Sequence, residues 1–577
     1  MRFNLFLSAV LIVFGTIEAF AEEAGEIELE KIVVSAKRTP LAMSGLSENV
    51  TVLTGEEIER LPARNLSEAL ERIAGVDIER RQGFGRVTSI SLQGSDSRHV
   101  RVMIDGIPIN SQASGQANPS ILPIENISRI EIIKGGASSM WGSSLGGVVN
   151  VITRDPAPGA AAQGSFTSSF SEFRTKKQIF DLSGTTGDVG YDVSASYMES
   201  GGKGPKDDVL EKKMSGKLSY DLKDAGKLMA SFGYSGADAN SGEYPDASWQ
   251  AQPYCLRYGK IGWSGDFINT GITLELKHSR QDIITRNYDS TEDEDPSWIV
   301  KSKDTMYQLS FNSTTGFREK DLLVAGFDLD WDNLKSTYLT EAKSLNLQAP
   351  YINYTLGNDP VDLNFGLRFD RNSEFGQEFS PSVGAIYRLD DSGDTLVRLG
   401  ISRAFNAPPL LWKYYDESLS WITVNPDIEP ERAWVYEAGL ESRITPEVWY
   451  KLSLYRANVS DAIATAQNGT GQYFKKNFQK FRRQGVELQV RAELCERLSV
   501  FTSGAFNDIE DRATKETVEG GGKARKSFDI GIDYKDKNGF YAGIKGFYED
   551  WNEPASSTHA LSGSISGLTV IHERLSS

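Results

Sequence analysis

The chain has 577 residues, with 62 Lys and Arg against 79 Asp and Glu and a formal net charge of −17. That acid excess excludes a protein that grips nucleic-acid phosphates, which needs clustered cations. Cys255 and Cys495 are the two cysteines; they exclude a disulfide scaffold, and neither belongs to a C-x-x-C pair.

Residues 1–21 carry one cation at Arg2, an apolar run over residues 5–14, and Ala19-Phe20-Ala21 before Glu22. This order predicts a secretory signal peptide cleaved after Ala21, because the apolar run is shorter than the ~20 residues a membrane helix needs. No later stretch is apolar for long enough to span as a helix. A membrane role must therefore come from strands, each needing only ~9–11 residues with one apolar face. Residues 22–40 read as a polar, acidic arm around one apolar patch, Ile32-Val33-Val34.

Residues 41–158 have the mixed texture of a small α+β domain. Strands are predicted at 50–53, 76–79, 89–92, 100–104, 130–133 and 147–153. Thr54 followed by Glu57 is a capping box that opens a helix. Asn65 opens a second one, whose Leu66, Leu70 and Ile73 share a face before Gly75 stops it. Asp105-Gly106 is a tight-turn pair.

From residue 159 the pattern becomes long alternating segments. Leu323, Ala325, Phe327, Leu329 and Trp331 take one face, while Gly326, Asp328, Asp330 and Asp332 take the other. Tight turns such as Asp391-Ser392-Gly393-Asp394 alternate with long polar loops at residues 236–253, 288–295 and 412–432. A soluble β-sandwich also alternates, but short turns on one rim and long loops on the other predict a transmembrane barrel. About nineteen segments lie between residues 163 and 548, and residues 556–577 lack sustained alternation.

Three blocks, Val102-Met103-Ile104-Asp105-Gly106-Ile107-Pro108, Ile130-Glu131-Ile132-Ile133-Lys134-Gly135-Gly136 and Gly146-Gly147-Val148-Val149-Asn150-Val151-Ile152-Thr153, resemble in order and spacing the plug signature of TonB-dependent receptors. Phe405-Asn406-Ala407-Pro408 and Asn425-Pro426-Asp427-Ile428-Glu429-Pro430-Glu431 look like that family's mid-barrel motif. The resemblance implies an all-β transmembrane barrel, of 22 strands in the family, with the α+β plug inside it. It implies domains at 22–40 (arm), 41–158 (plug) and 159–555 (barrel), followed by an atypical tail, 556–577, that lacks the closing strand and suggests a truncated or altered C-terminus. Gly136 departs from the family pattern, where proline is usual, and Gln93 stands where a basic residue often precedes the plug glycine.

Glu30-Lys31-Ile32-Val33-Val34-Ser35-Ala36 resembles the TonB box, the contact for a periplasmic energy-coupling protein. Its β-branched residues suit strand addition to a partner's sheet edge, and a plain linker is the alternative. Ligand binding outside is expected to expose the box inside. Substrate contacts are expected from two plug apices, Arg80, Arg81, Phe84 and Arg86 on one and Asn110, Ser111, Gln112, Ser114, Gln116 and Asn118 on the other. Both apices look like those of the cobalamin-receptor subgroup, in which loops at the places of Asp207, Asp208, Asp238 and Asp246 hold calcium. Hard oxygen ligands suit that ion, and solvated carboxylates are the alternative; no cofactor is required.

The expected cargo is a metal chelate, cobalamin or a ferric siderophore, with haem disfavoured by a count of four histidines. The expected surroundings are outer-membrane lipid. The competing class is a secreted β-rich carbohydrate-active or structural protein. An enzyme is not expected, since neither G-x-S-x-G nor H-E-x-x-H occurs.

Overall fold

A computed structural model describes residues 33–572 apart from 35, 62, 64, 72, 81–86, 245, 319, 391, 417–418, 519–523, 537–539 and 552–561. The leader predicted at residues 1–21 and the arm up to residue 32 lie outside the described residues.

The N-terminal domain is built on a five-stranded sheet in the order Asn49–Thr54, Ile127–Lys134, Gly147–Thr153, Val100–Ile104 and Ile107–Pro108. Val100–Ile104 and Gly147–Thr153 run parallel, and the other ladders are antiparallel. Both expected caps form. Thr54 and Glu57 exchange side-chain and backbone bonds at the start of helix Gly55–Glu59, and the Asn65 side chain accepts from Glu68 N ahead of Leu66–Leu70. Asp105 and Gly106 have φ of 48° and 76°, the doubly left-handed turn that a two-residue hairpin favours. Leu66, Leu70, Ile104, Ile130 and Ile132 have no exposed surface, each contributing roughly 1.5–3 kcal/mol through burial. The domain therefore has a dry core of its own.

Twenty strands, from Gln163–Ser171 to Ser562–His572, form one sheet in which each strand pairs antiparallel with the next in sequence. Its polarity is the reverse of a soluble sheet's. On Leu322–Ser336, Asp328, Asp330 and Asp332 are buried, at 1%, 6% and 7% exposure, while Phe327 and Trp331 expose 37% and 46%. A sandwich buries its apolar face, so that alternative fails. The rims differ as expected: residues 187–188, 268–269, 359–360, 446–447 and 496–497 make short turns on one, and residues 201–208, 241–248, 289–297 and 407–430 make long loops on the other. Among the described residues no helix is long and apolar enough to cross a membrane, which says nothing about strands. Both cysteines are free.

One further strand lies within the predicted tail. Nineteen strands precede Ser562–His572, which pairs with Phe540–Trp551 as the twentieth. A one-residue slip in that ladder, between Gly543 and Lys545, interrupts the period-2 pattern by which a strand is recognised. Among the described residues no ladder joins the twentieth strand to the first, and Gln163–Ser171 is exposed along its whole length.

The sheet encloses the N-terminal domain. Glu125 meets Lys177 on the second strand at 2.9 Å, and Asp105 meets Lys217 at 3.2 Å. Ser111 donates to Asp304 at 2.6 Å, Lys134 meets Glu487 at 2.7 Å, and the Arg60 guanidinium lies 5.6 Å from the Tyr541 ring on the nineteenth strand. Contacts from strands early, middle and late in the sheet place the domain as a plug. Gly136 has a local reason: a Cβ there would stand 2.7 Å from Ser402 Oγ and 2.9 Å from Ala404 Cβ on the wall.

Candidate functional site

The arm is clamped where it joins the plug. Val33 and Val34 pair antiparallel with Ala42 and Leu41; Glu30, Lys31, Ile32 and Ser35 lie outside the described residues. Ala36 is buried, and its carbonyl accepts from Trp141 Nε1 at 3.2 Å. Lys37 donates to Asn364 on the wall; burial lowers its pKa, with Glu48 opposing. Arg38 donates from both terminal nitrogens to Asp328, at 2.6 and 2.7 Å. Its guanidinium lies 4.4 Å from the Trp141 ring and 4.6 Å from that of Tyr351. Burial works against the Arg38 charge, but Asp328 and Tyr351 outweigh it, and the pKa rises.

The wall strand that takes Arg38 also takes an outer plug apex. Asp332 accepts from Gln112 at 2.9 Å, and Asp330 accepts from Gln308 at 2.7 Å. Ser111, beside Gln112, donates to Asp304 on the neighbouring strand. Arm and apex are thus tied to the two ends of one row of inward aspartates.

The predicted apex residues divide. Asn110 donates to the carbonyls of Val100 and Gly115 and accepts from Val102 N, so its amide shapes the loop. Asn118 is buried and accepts from Thr88 N and Ser120 N. Ser111 and Gln112 face the wall. Ser114 is exposed, and Gln116, which donates to Ser97 at 2.6 Å, is half-buried. Arg80 ends strand Val76–Arg80, while Arg81, Phe84 and Arg86 lie outside the described residues.

The four aspartates suggested for calcium do not gather. Asp238 belongs to strand Lys227–Asn240, opposite Leu210, and not to a loop, because the strands run farther into that connection than its polarity implied. Asp207 accepts from Lys203 N, Asp208 from Asn240, and Asp246 from Ser248. Among the described residues no three or more His, Cys, Asp or Glu come together as a metal group. The acidic run at residues 292–295 is exposed, as a solvated loop tip should be.

His99 is buried against the wall, its Nε2 2.8 Å from Glu431, which Arg98 also grips. Burial lowers the His99 pKa, and Glu431 opposes.

The outer mouth contains a group that sequence reasoning missed. Trp412 lies between Arg98, 5.1 Å from its ring, and Lys475, at 4.4 Å. Tyr338, Tyr415 and Trp421, from connections on the same rim, meet edge-on. Trp412-Lys413-Tyr414-Tyr415 in the longest loop was the available signal.

Two family models match the chain: "TonB-dependent Receptor Plug Domain" over residues 43–148 and "TonB dependent receptor-like, beta-barrel" over residues 156–570. Among solved structures, the pyoverdine outer membrane receptor from Pseudomonas aeruginosa superposes with a TM-score of 0.76 at 16% identity, covering 92% of this chain and 88% of that one. The siderophore receptor PirA from Pseudomonas aeruginosa gives 0.70 at 21% identity, covering 87% and 90%. The alcaligin outer membrane receptor from Bordetella pertussis gives 0.69 at 15% identity, covering 92% and 93%. At these identities the likeness is one of fold.

Proposed function

The chain belongs to the TonB-dependent receptors, and from that premise we propose that it takes up a ferric siderophore across the outer membrane of a Gram-negative cell. The observation that carries this reading is the plug bonded to wall strands early, middle and late in the sheet, at Lys177, Asp304 and Glu487 among others. A solute the size of a metal chelate then crosses only if the plug moves. Siderophore receptors among the similar folds support the iron cargo over cobalamin.

In the proposed cycle the ligand settles on the outer loops and the plug apices, where Ser114 is exposed and Gln116 half-buried and where Arg80, Arg81 and Arg86 are expected to add cations. Its differential affinity for two plug states sets how far the arm population shifts. Loss of the Gln112 contact to Asp332 at one end of the aspartate row weakens the hold on Arg38 at the other. The freed Val33-Val34 segment exchanges its ladder with Leu41–Ala42 for the sheet edge of a TonB-type partner, where main-chain bonds supply affinity. The partner then pulls. This cycle requires no resident cofactor.

The test is uptake by receptor-deficient cells that express this chain, offered separately ferric siderophores and haem labelled with radioactive iron and cobalamin labelled with radioactive cobalt, with and without a functional energy-coupling protein. Coupling-dependent uptake of at least one ferric siderophore is expected. Uptake of cobalamin alone, or of iron without the coupling protein, contradicts the reading.

A further inference from the structure

Building on the siderophore reading, we propose that the outer mouth selects ferric chelates whose iron-binding groups are catecholate rings, and discriminates against aliphatic hydroxamates. Catecholate complexes are strongly anionic and present flat rings, whereas hydroxamate complexes of the simple aliphatic kind have neither property.

The mouth matches both. Trp412, in the short helix Leu410–Lys413, lies against two cations, Arg98 on the plug side, whose charge Glu431 already takes up, and Lys475 on the wall side. Lys343 and Lys413 nearby are neutralised by Glu341 and Glu374. Lys475 is different: among the described residues it makes no ion pair and donates to the neutral Thr465 hydroxyl at 2.7 Å. Asp96, which also pairs with Arg98, acts on this charge only from beyond ion-pair distance, so an anionic ligand can still claim it directly against an aromatic face.

Of three further rings on this rim one stays open, while Tyr338 and Tyr415 are half-buried against Leu334, Leu410 and Leu411. Tyr338, Tyr415 and Trp421 have centroids 5.9 to 6.4 Å apart in edge-on contact, the arrangement aromatic groups adopt among themselves, and Trp421 is 47% exposed. Main-chain bonds hold this loop in place before any ligand arrives. Tyr473 N donates to Trp421 O at 3.0 Å, Thr423 N donates to Tyr473 O at 2.8 Å, and Asn425 donates to Lys475 O at 2.8 Å. A preformed site loses less freedom on binding. The plug apex lies directly beneath: a Cβ on Gly115 would stand 3.3 Å from Pro409 and 3.0 Å from Arg98 Cβ. A chelate held here therefore presses on the element that contacts Asp332.

The experiment is retention of radioactive iron by the purified full chain in detergent, presented as ferric 2,3-dihydroxybenzoate or as ferric desferrioxamine B, with labelled cyanocobalamin as a third probe. Trp412→Leu, Trp412→Phe and Lys475→Gln are compared, each checked for folding by heat-modifiable migration. The catecholate is expected to bind at least tenfold tighter than the hydroxamate. Trp412→Leu and Lys475→Gln should each weaken it roughly two- to thirtyfold, the range of a ring–cation contact, and Trp412→Phe should retain most of the affinity. If Trp412→Leu does not fold, Lys475→Gln decides. Equal or tighter hydroxamate binding overturns the inference while leaving siderophore uptake standing, as does catecholate binding indifferent to these variants. Retention of cyanocobalamin alone removes both, and retention of none of the probes overturns the inference.

Discussion

Arg38 closes both terminal nitrogens on the carboxylate of Asp328, 290 residues away in the chain, while Arg368 holds the same carboxylate at 2.8 Å. The two partners are therefore not equivalent. Removing Arg38 leaves Asp328 paired with Arg368, whereas removing Asp328 strands the buried Arg38 guanidinium, Arg368 keeping Asp370 at 3.0 Å.

Arg38→Ala should release the arm without unfolding the receptor. Binding of a periplasmic TonB fragment in the absence of ligand should tighten about tenfold, because the released arm is the binding-competent state. Asp328→Ala should instead destabilise the chain by about 3–5 kcal/mol, the cost of leaving a buried charge unpaired. Fragment titration and urea unfolding separate these outcomes.

Lys134 and Glu487 form a plug-to-wall pair with almost no exposure, 2.7 Å apart, and Lys134 also donates to the Ala74 carbonyl. Lys134→Met alone should cost about 3–5 kcal/mol, because Glu487 stays buried and charged. The double change Lys134→Met with Glu487→Met should recover most of that loss. Urea midpoints of the three proteins check this; a double variant as unstable as the single one would contradict it.

His99 gives the plug a pH dependence. Burial is the largest influence on its imidazole and lowers the pKa, with Glu431 opposing. The folded value therefore lies below the unfolded value of about 6.5, and the unfolded chain takes the proton first. The stabilisation is full above about pH 6.5 and is lost as pH falls through the folded value. Between pH 7.5 and pH 5 the melting temperature should fall less in His99→Gln than in the parent. An equal fall in both would show that His99 is not the titrating group.

Much of the fold was legible because its determinants are local. The alternation around Asp328, the capping box at Thr54 and the Asp105-Gly106 turn each depend on neighbours within a few residues. The strand at Ser562–His572 was not, since a bulge breaks its period. The clamp on Arg38, the row from Asp328 to Asp332 as a link between arm and apex, and the cations about Trp412 depend on contacts across hundreds of residues, which no spacing encodes. For the same reason Asn110 and Asn118 look like ligand groups in sequence, while in the fold their amides satisfy the backbone of their own plug.

Ser139 of the plug and Ser382 of the wall bring their hydroxyl oxygens to 3.0 Å, close enough for a pair of cysteines to be joined with modest adjustment. The most direct test of a plug that must move is iron uptake by cells carrying Ser139→Cys with Ser382→Cys, measured before and after reduction. The crosslink should form quantitatively on oxidation, stop ferric-siderophore uptake, and release it on reduction. Undiminished uptake through a fully crosslinked receptor, or failure of the two thiols to join in the folded protein, would contradict the account.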